Sequence, residues 1–301
     1  MKQATKHDLK ELHAALLGML EDIDALCQRH DLRYSIYCGT LLGAIREGDF
    51  IPWDDDADLM MPIEDYRRFF KIAQRELGGK YAIQNTENTP QHPWLWTRMY
   101  RKGTTYMRKK LSKLQISHGV ALDIYPMIGV ADSRLGYRLQ RTILGLASVL
   151  RSVDFWRVDG YPEQKRARLL GKACSLLPRR LRCVLSMWLL RLACISPKHK
   201  EKCCTLDASV FTPKFDAADW VDYIRVDLAG KSFVAPAAFD KLLRVMYGDY
   251  MTPPPVSERT GHREDFGGVT FDAHRDYTQY QAQYAEEKDE GSGAPSSLAN
   301  A

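Results

Sequence analysis

The stretch Ile51–Met61 reads IPWDDDADLMM and places four aspartates, Asp54, Asp55, Asp56 and Asp58, within five positions. Like charges this close repel one another, and burying them without a counter-charge is energetically costly. Apolar residues flank the aspartates on both sides, which indicates a buried strand beside them and not a loose acidic tail. We therefore expect a cation to be bound among these carboxylates.

The spacing of the aspartates indicates the kind of cation. Side chains alternate along a strand, so Asp56 and Asp58 face the same way. Two carboxylates at a strand end suit Mg²⁺ or Mn²⁺, which prefer oxygen ligands and keep positions open for substrate phosphates. The candidate metal ligands are therefore Asp54, Asp56 and Asp58. The competing interpretation is a solvated acidic turn that caps the next helix. An EF-hand is disfavoured, because the glycine and the final glutamate of its loop are missing.

The composition is that of an ordinary globular protein. The chain has 301 residues, of which 45% are hydrophobic and 27% are charged, so a packed core is expected over most of its length. The first residues carry no apolar signal segment, and no apolar run reaches the ~20 residues of a spanning helix. Seven cysteines without a Cys-x-x-Cys pair indicate reduced thiols. We expect a cytoplasmic protein.

Charge is distributed unevenly along the chain. The formal net charge is +5, yet residues 133–202 hold 16 Lys/Arg against 4 Asp/Glu. This segment alone therefore carries +12, and the rest of the chain carries −7. Such asymmetry predicts an anionic partner for the middle segment.

Hydrophobic periodicity predicts an α+β fold, in which a mixed β-sheet core is flanked by helices. In the first half, we expect helices over 9–30, 41–46 and 65–77, and strands over 34–38, 57–61, 81–84, 94–100 and 120–125, the last ended by Pro126. In the second half, we expect basic helices over 135–150 and 165–195, the latter split by Pro178, then a hairpin over 223–233 and a helix over 237–247.

These elements suggest a division of the chain. We predict a core with the metal site over 1–131 and a basic helical insertion over 132–205. A C-terminal part over 206–285 completes the core, and a disordered tail covers 286–301.

A glycine turn precedes the aspartates. The segment Gly39–Arg46 reads GTLLGAIR, between a predicted strand and a predicted helix. Gly39 permits close approach of another group to the backbone, Thr40 is able to cap the helix, and the helix N-terminus favours phosphate. Arg46 is either a phosphate contact or an ordinary charge at the helix C-terminus.

Together these motifs resemble the LicD family, which includes bacterial phosphocholine transferases and is related to fukutin-type phosphotransferases. The glycine turn and the aspartate stretch carry the main resemblance. Gly119–Pro126, which reads GVALDIYP, resembles the family's Asp-containing strand. The segment from Phe233 to His262 resembles its C-terminal signature. The resemblance spans about residues 30 to 263. Two departures are Ala57, in place of a larger aliphatic residue, and Met127-Ile128, in place of Leu-Asp.

The resemblance implies a nucleotidyltransferase-type fold with a metal-dependent site. In such a site, Gly39 and Thr40 hold the phosphates of the donor. Asp56 and Asp58 bind Mg²⁺ or Mn²⁺ and take part in catalysis. Asp123 corresponds to a third carboxylate, which acts as a ligand or a general base. The alternative for Asp123 is a structural hydrogen-bond role in its apolar strand.

Other candidate substrate-binding residues are basic. Arg98, Arg101 and Lys102 follow a Trp-rich segment and are able to neutralise a diphosphate, although a solvated basic edge explains them equally well. Arg259 and His262 suit phosphate binding or stabilisation of a leaving group. A lone histidine is usually structural, so only the family resemblance favours His262.

The basic helices have two interpretations. A basic stretch beside Trp188 and several leucines is able to lie on an anionic membrane, as peripheral contact with the inner face. The other interpretation is a core helix with snorkelling arginines. Nucleic acid is not expected as a partner, since no recognisable binding motif accompanies the charge.

Three functional hypotheses follow. The first, implied by the resemblance, is metal-dependent transfer of a phosphoalcohol, such as phosphocholine, from a CDP-alcohol donor. The acceptor would be a sugar hydroxyl of a surface or lipid-linked glycan, of the lipopolysaccharide, capsule or teichoic acid type. The second is a nucleotidyltransferase that makes an activated sugar or alcohol from a nucleoside triphosphate. The third is a non-catalytic binding module.

Overall fold

The computed structural model describes residues 6–108, 110–206, 214–259 and 269–281 of the chain. It has a mixed sheet flanked by helices, in agreement with the predicted combination of strands and helices. Its helices are α1 (Lys6–Arg29), α2 (Cys38–Arg46), α3 (Ile63–Glu76), α4 (Arg134–Asp159), α5 (Lys165–Cys174), α6 (Arg179–Ala193) and α7 (Phe239–Tyr247). Its strands are β1 (Ser35–Ile36), β2 (Asp58–Pro62), β3 (Tyr81–Gln84), β4 (Thr97–Arg101), β5 (Thr105–Arg108), β6 (Ala121–Gly129), β7 (Lys202–Thr205), β8 (Phe215–Asp216), β9 (Tyr223–Leu228), β10 (Lys231–Pro236) and β11 (Val269–Asp272).

Strand β6 is the centre of the sheet. The order is β1-β2-β6-β4-β3, and β7 continues along β6 beyond the end of β4, with β8 beside β7. The β2–β6 pair is parallel, and the other pairs of this sheet are antiparallel. Two further antiparallel pairs, β9–β10 and β5–β11, stand beside it.

The two faces of the sheet have different environments. Leu59 and Ile124 point to one face and are fully buried in the main core, to which α1 and α3 contribute. Met60 and Met127 point to the other face, which carries a smaller cluster with Tyr37 and Trp220. Because side chains alternate along each strand, Asp58 lies on this second face with Met60.

Helices α4 to α6 form an insertion between β6 and β7. The two strands pair directly, with Met127 opposite Thr205. Within the insertion, α4 and α6 run antiparallel, because Ser186 Oγ donates to Ala147 O at 3.1 Å and the earlier residue Arg182 donates to the later residue Asp154 at 3.0 Å. Arg151 joins α4 to the core, because its guanidinium donates to Thr89 O and to His92 O at 2.8 and 2.7 Å. The predicted division into domains stays a prediction, and the predicted tail over 286–301 lies outside the described residues.

Two predicted boundaries were wrong for identifiable reasons. Strand β6 continues through Pro126. The Asp123 N–H donates to Ala57 O, so alternate amides face β2, and the nitrogen of Pro126 faces the opposite edge. There β4 pairs only as far as Ile124 and β7 begins at Met127, so the missing N–H falls between two partners.

Helix α2 starts at Cys38 and not at Leu41. Tyr37 is extended, and Cys38 with φ of 45° turns the chain directly into the helix. The Gly39-Thr40 pair is therefore the first helical turn and not a separate loop. The predicted break at Pro178 is confirmed, since α6 begins directly after it, and the hairpin around Ala229-Gly230 is also confirmed. In the described part of the chain, no helix is both long and apolar enough to cross a bilayer.

Candidate active site

Three charged residues form a row across the sheet. The register places Asp58 of β2 opposite Asp123 of β6, and Asp123 opposite Arg98 of β4. Residues opposite one another share a face, so all three side chains point to the same side. Arg98 Nε donates to Asp123 Oδ1 at 2.5 Å, and both side chains are largely buried, 11% and 8% exposed. Burial alone would lower the pKa of Arg98, but the Asp123 carboxylate more than offsets this and raises it.

The remaining aspartates stand just before β2. One carboxylate oxygen from each of Asp54, Asp55 and Asp56 lies within 4.8 Å of the others. The backbone of Asp54 is fixed on both sides: its N–H donates to Ile51 O at 2.9 Å, and its carbonyl contacts His13 Nε2 of α1 at 2.8 Å. The loop therefore presents its carboxylates from a backbone that is held by the core.

The first turn of α2 is packed against these acids. A Cβ at Gly39 would stand 2.4 Å from Asp54 Oδ2, so only glycine admits the carboxylate in its present place. Thr40 is buried, and its hydroxyl accepts a hydrogen bond from the Asp58 N–H at 2.8 Å. The Tyr37 N–H donates to Asp58 O at 2.9 Å. The N-terminus of α2, which favours anions, is thereby fixed beside Asp54 and Asp58.

Burial and mutual repulsion of these carboxylates favour a bound cation. Burial, and then the negative charges of Asp56 and other neighbouring aspartates, raise the pKa of both Asp54 and Asp58 well above its ordinary value. Asp58 Oδ1 is buried, and among the described residues no group donates a hydrogen bond to it. A buried carboxylate oxygen without a donor is costly. The residues present therefore fit a divalent ion with oxygen ligands.

Aromatic side chains line the same face. The Tyr125 ring lies 5.0 Å from the Trp96 ring and 6.0 Å from the Tyr37 ring, measured between centroids. The guanidinium of Arg98 stands 4.3 Å from the centroid of Trp94, in a cation–π arrangement. Burial, followed by the charges of Asp58 and Asp123, raises the pKa of Tyr125. The acids thus have an apolar, aromatic wall on one side.

The structure brings some predicted substrate-binding residues to the acids. Asp54, Asp55, Asp56, Asp58 and Asp123 are called the acid cluster below. Gly39, Thr40 and Arg98 contact members of this cluster, as described above. The guanidinium of Arg259 lies 5.1 Å from the centroid of Trp53, which precedes Asp54 in the chain. His262 lies outside the described residues.

Other predicted contacts lie elsewhere. Arg46 is buried, and its Nη1 donates to Tyr250 O at 3.0 Å, so it joins α2 to the segment after α7. Arg101 points to the face opposite Arg98, because residues three apart on a strand face opposite ways. The Lys102 ammonium donates to Gly78 O at 2.5 Å, at the end of α3. The structure does not bring Arg101 and Lys102 to the acid cluster.

Two residues of the site were missed from the sequence. Asp55 is buried, and its carboxylate accepts a hydrogen bond from the Tyr106 hydroxyl of β5. In an extended chain with alternating side chains, Asp55 would point away from Asp54 and Asp56, so the sequence did not indicate it. Residues 54–57 precede β2, however, and do not follow strand alternation. Tyr106 gave no sequence signal, since its role depends on where β5 lies relative to the loop.

The fold and site define a protein with a mixed β-sheet flanked by helices and a candidate divalent-metal centre where β2 pairs with β6. Residues 31–139 match a family model described as LicD/FKTN/FKRP, nucleotidyltransferase domain, so this part of the chain is similar to that family. All the acids discussed above lie within the matched residues.

Parts of the chain are also similar to curated proteins. Over 88 residues, the chain is 40% identical to the lipopolysaccharide cholinephosphotransferase LicD of Haemophilus influenzae, covering 29% of this chain and 32% of the relative. Over 111 residues, it is 31% identical to the ribitol 5-phosphate transferase FKRP of Mus musculus, covering 32% of this chain and 21% of the relative. The chain thus spans a third or less of the length of these relatives.

Proposed function

We propose that the chain transfers a phosphoalcohol group, such as phosphocholine, from a CDP-alcohol donor to a sugar hydroxyl. The observation that carries the proposal is the register of Asp58 beside Asp123, next to the Asp54–Asp56 carboxylates. The names of the relatives add support, because both describe a transferase for a phosphorylated alcohol.

We also propose a nucleotidyltransferase-type fold and a bound Mg²⁺ or Mn²⁺, held by Asp54, Asp56 and Asp58. The donor-free Asp58 Oδ1 and the raised pKa of Asp54 and Asp58 support an ion at this place. When bound, such an ion neutralises diphosphate charge and polarises the phosphoryl group. Asp55 is held by Tyr106, so we assign it to positioning the loop.

The residues of the chain would divide the remaining work. The first turn of α2, at Gly39 and Thr40, binds the donor phosphates. Asp123, held in place by Arg98, takes the proton of the acceptor hydroxyl. The acceptor oxygen then bonds to phosphorus as the bond to the departing CMP breaks. We assign Arg259, whose guanidinium lies over the ring of Trp53 just before Asp54 in the chain, to binding the phosphate of CMP.

The acceptor that we propose is a surface or lipid-linked glycan, of the lipopolysaccharide, capsule or teichoic acid type. We place the reaction at the cytoplasmic side of a membrane, where nucleotide-activated donors are available. The lipopolysaccharide in the name of the Haemophilus influenzae relative supports a glycan acceptor, and the geometry of the acids does not bear on it.

The test is a donor screen with Mn²⁺ or Mg²⁺ and a glycan acceptor, followed by mass spectrometry. We expect consumption of a CDP-alcohol, release of CMP, and a glycan heavier by one phosphoalcohol. Asp58→Ala should release no CMP, whereas Asp132→Ala, at an exposed acid in the loop before α4, should behave as wild type. Release of pyrophosphate from CTP would instead indicate a nucleotidyltransferase. An absence of turnover with every donor and both ions would contradict the proposal.

A further inference from the structure

Helix α6 exposes an apolar stripe to solvent. Its members are spaced at i, i+3, i+4, i+7 and i+11, which places them on one helical face. They are Leu181, Val184, Leu185, Trp188 and Leu192, and each is exposed. Trp188 is 69% exposed and Leu192 is 63% exposed, so the stripe is not a partly covered edge of the core.

The insertion as a whole exposes many apolar side chains. Of the 16 large apolar side chains that the described residues expose, 10 lie between Leu135 and Leu192. In addition to the α6 stripe, they are Leu135 and Leu139 of α4, Leu169 and Leu170 of α5, and Leu176 of the connecting turn. Scattered apolar residues are normal on a protein surface, but a concentration of this kind marks an interaction site.

The opposite side of α6 already provides its packing. Arg182 is buried, and its Nη2 donates to Asp154 Oδ1 of α4 at 3.0 Å. Ser186 and Ala193 are buried on the same side. The helix therefore packs on α4 through the side opposite the stripe. A core helix would bury such a stripe, whereas these five side chains are exposed.

Cations border the apolar surface. Residues 165–193 contain eight Lys/Arg and no acid. Arg166, Arg168, Lys172, Arg180 and Arg191 are exposed. In the described part of the chain, no carboxylate lies within 4.0 Å of any of these five side chains. Their charge is therefore available to an external partner.

We propose that the exposed face of α6 binds the surface of an anionic lipid bilayer. Exposed Trp and Leu between uncompensated Arg and Lys are the pattern of an interfacial helix, which buries its apolar face among the lipid headgroups. A second copy of this chain fits less well, because identical faces would bring like charges together. The inference goes beyond the proposed transfer reaction and does not depend on it, because lipid binding requires neither donor nor acceptor.

The test is sedimentation of the full chain with vesicles, without nucleotide or glycan. One set of vesicles contains phosphatidylcholine and phosphatidylglycerol in equal amounts, and the other contains phosphatidylcholine alone. We expect binding to the first set, weakened by salt, and little binding to the second. The fluorescence of Trp188, obtained by subtracting the spectrum of Trp188→Phe from that of wild type, should shift to shorter wavelength on binding.

Paired variants locate the surface. Leu185→Ser/Trp188→Ser should reduce partition into the anionic vesicles by at least about tenfold. Its control is Val221→Ser/Val256→Ser, two exposed apolar side chains outside the insertion, which should bind as wild type. Arg180→Gln/Arg191→Gln should reduce binding to the anionic vesicles about 25-fold, at about fivefold for each charge. Its control is Arg29→Gln/Arg75→Gln, which removes the same net charge beside Glu76.

Circular dichroism and thermal unfolding check that each variant is folded. No binding of wild type to the anionic vesicles would overturn the proposal. Equal loss in the α6 variants and their controls would also overturn it, because the effect would not belong to this face. A wild-type dimer that Leu185→Ser/Trp188→Ser converts to a monomer would show instead that two copies bury this face together.

Discussion

The acid cluster and the α4–α6 insertion handle charge in opposite ways. In the acid cluster, carboxylates are buried side by side, and Asp58 Oδ1 has no donor among the described residues. In the insertion, the buried charge is matched within the protein: Asp154 accepts from Arg182 at 3.0 Å and from Arg179 at 3.2 Å. The insertion leaves apolar side chains and unmatched arginines on its outer surface instead.

This difference distinguishes charges that stabilise the fold from charges held for function. A buried pair such as Arg182–Asp154 is costly to break, since one partner is left alone in a low dielectric. A buried carboxylate without a counter-charge destabilises the metal-free fold and is retained where a ligand compensates for it. Substitutions in the two regions should therefore have opposite effects on stability and activity.

The largest effect is expected from removing an acid of the cluster. Asp56→Ala and Asp58→Ala should each lower the transfer rate by at least about a thousandfold, because the ion that neutralises the donor is no longer held. Asp58→Asn should raise the melting temperature of the metal-free protein by a few degrees, since it removes a buried, unmatched charge. The measurements are CMP release and thermal unfolding in EDTA. Wild-type turnover in either alanine variant would contradict the assigned metal role.

The next effect belongs to the insertion and has the opposite character. Arg182→Ala should reduce the free energy of unfolding by about 3 kcal/mol, because Asp154 loses its most buried partner. The transfer rate per folded molecule should not change in solution. The control is Arg180→Ala, an exposed neighbour that should change stability by less than about 0.5 kcal/mol. Denaturant unfolding measures the free energy of unfolding of both variants. Equal decreases in the two variants would contradict the stabilising role of the buried Arg182–Asp154 pair.

Much of this comparison could be predicted from the sequence. Four aspartates within five positions, next to a buried strand, predicted a cation site, and the charge count predicted a basic insertion. The pairing partners could not be predicted in the same way. The row formed by Asp58, Asp123 and Arg98 requires that β2, β6 and β4 be neighbours in a particular register, which local patterns do not specify.

Long-range contacts also decide which of the predicted basic residues reach the acids. Arg46 and Arg98 look alike as basic residues near a motif. One binds the carbonyl of Tyr250 and the other binds the Asp123 carboxylate. The outward direction of the α6 stripe depends equally on which face α4 covers. Periodicity defines an apolar face but does not say whether anything packs on it.

The third prediction concerns pH and metal. In the metal-free fold, the pKa of Asp54 and Asp58 is raised, so the native state binds more protons than the unfolded state. The free energy of unfolding should therefore fall as pH rises from about 4 through the raised pKa values. Addition of Mn²⁺ at neutral pH should restore about 2.7 kcal/mol at a hundred times its Kd.

The control for this effect is Asp54→Asn/Asp58→Asn. Burial lowers the pKa of His92 to about 3 and of His118 to about 4, and these histidines contribute the opposite pH dependence below pH 6.5. The difference between wild type and the double variant isolates the carboxylates. Melting curves in EDTA and in Mn²⁺ across this pH range give both quantities. A wild type that follows the double variant would mean that the acids are not destabilised in the metal-free fold.

The smallest effect tests how closely α2 positions the acids. A Cβ at residue 39 would meet Asp54 Oδ2 at 2.4 Å. The carboxylate is the end of a flexible side chain and is able to move, so Gly39→Ala should cost less than about 1 kcal/mol of stability. The moved carboxylate no longer fits the ion, and the transfer rate should fall about tenfold.

Gly18→Ala in α1 is the matched control, because nothing lies within 4 Å of its new Cβ. It should raise stability by about 0.5–1 kcal/mol without changing the rate. If both substitutions left the rate unchanged, the close contact between Gly39 and Asp54 would serve packing alone, and the fixed N-terminus of α2 would not explain the place of the metal.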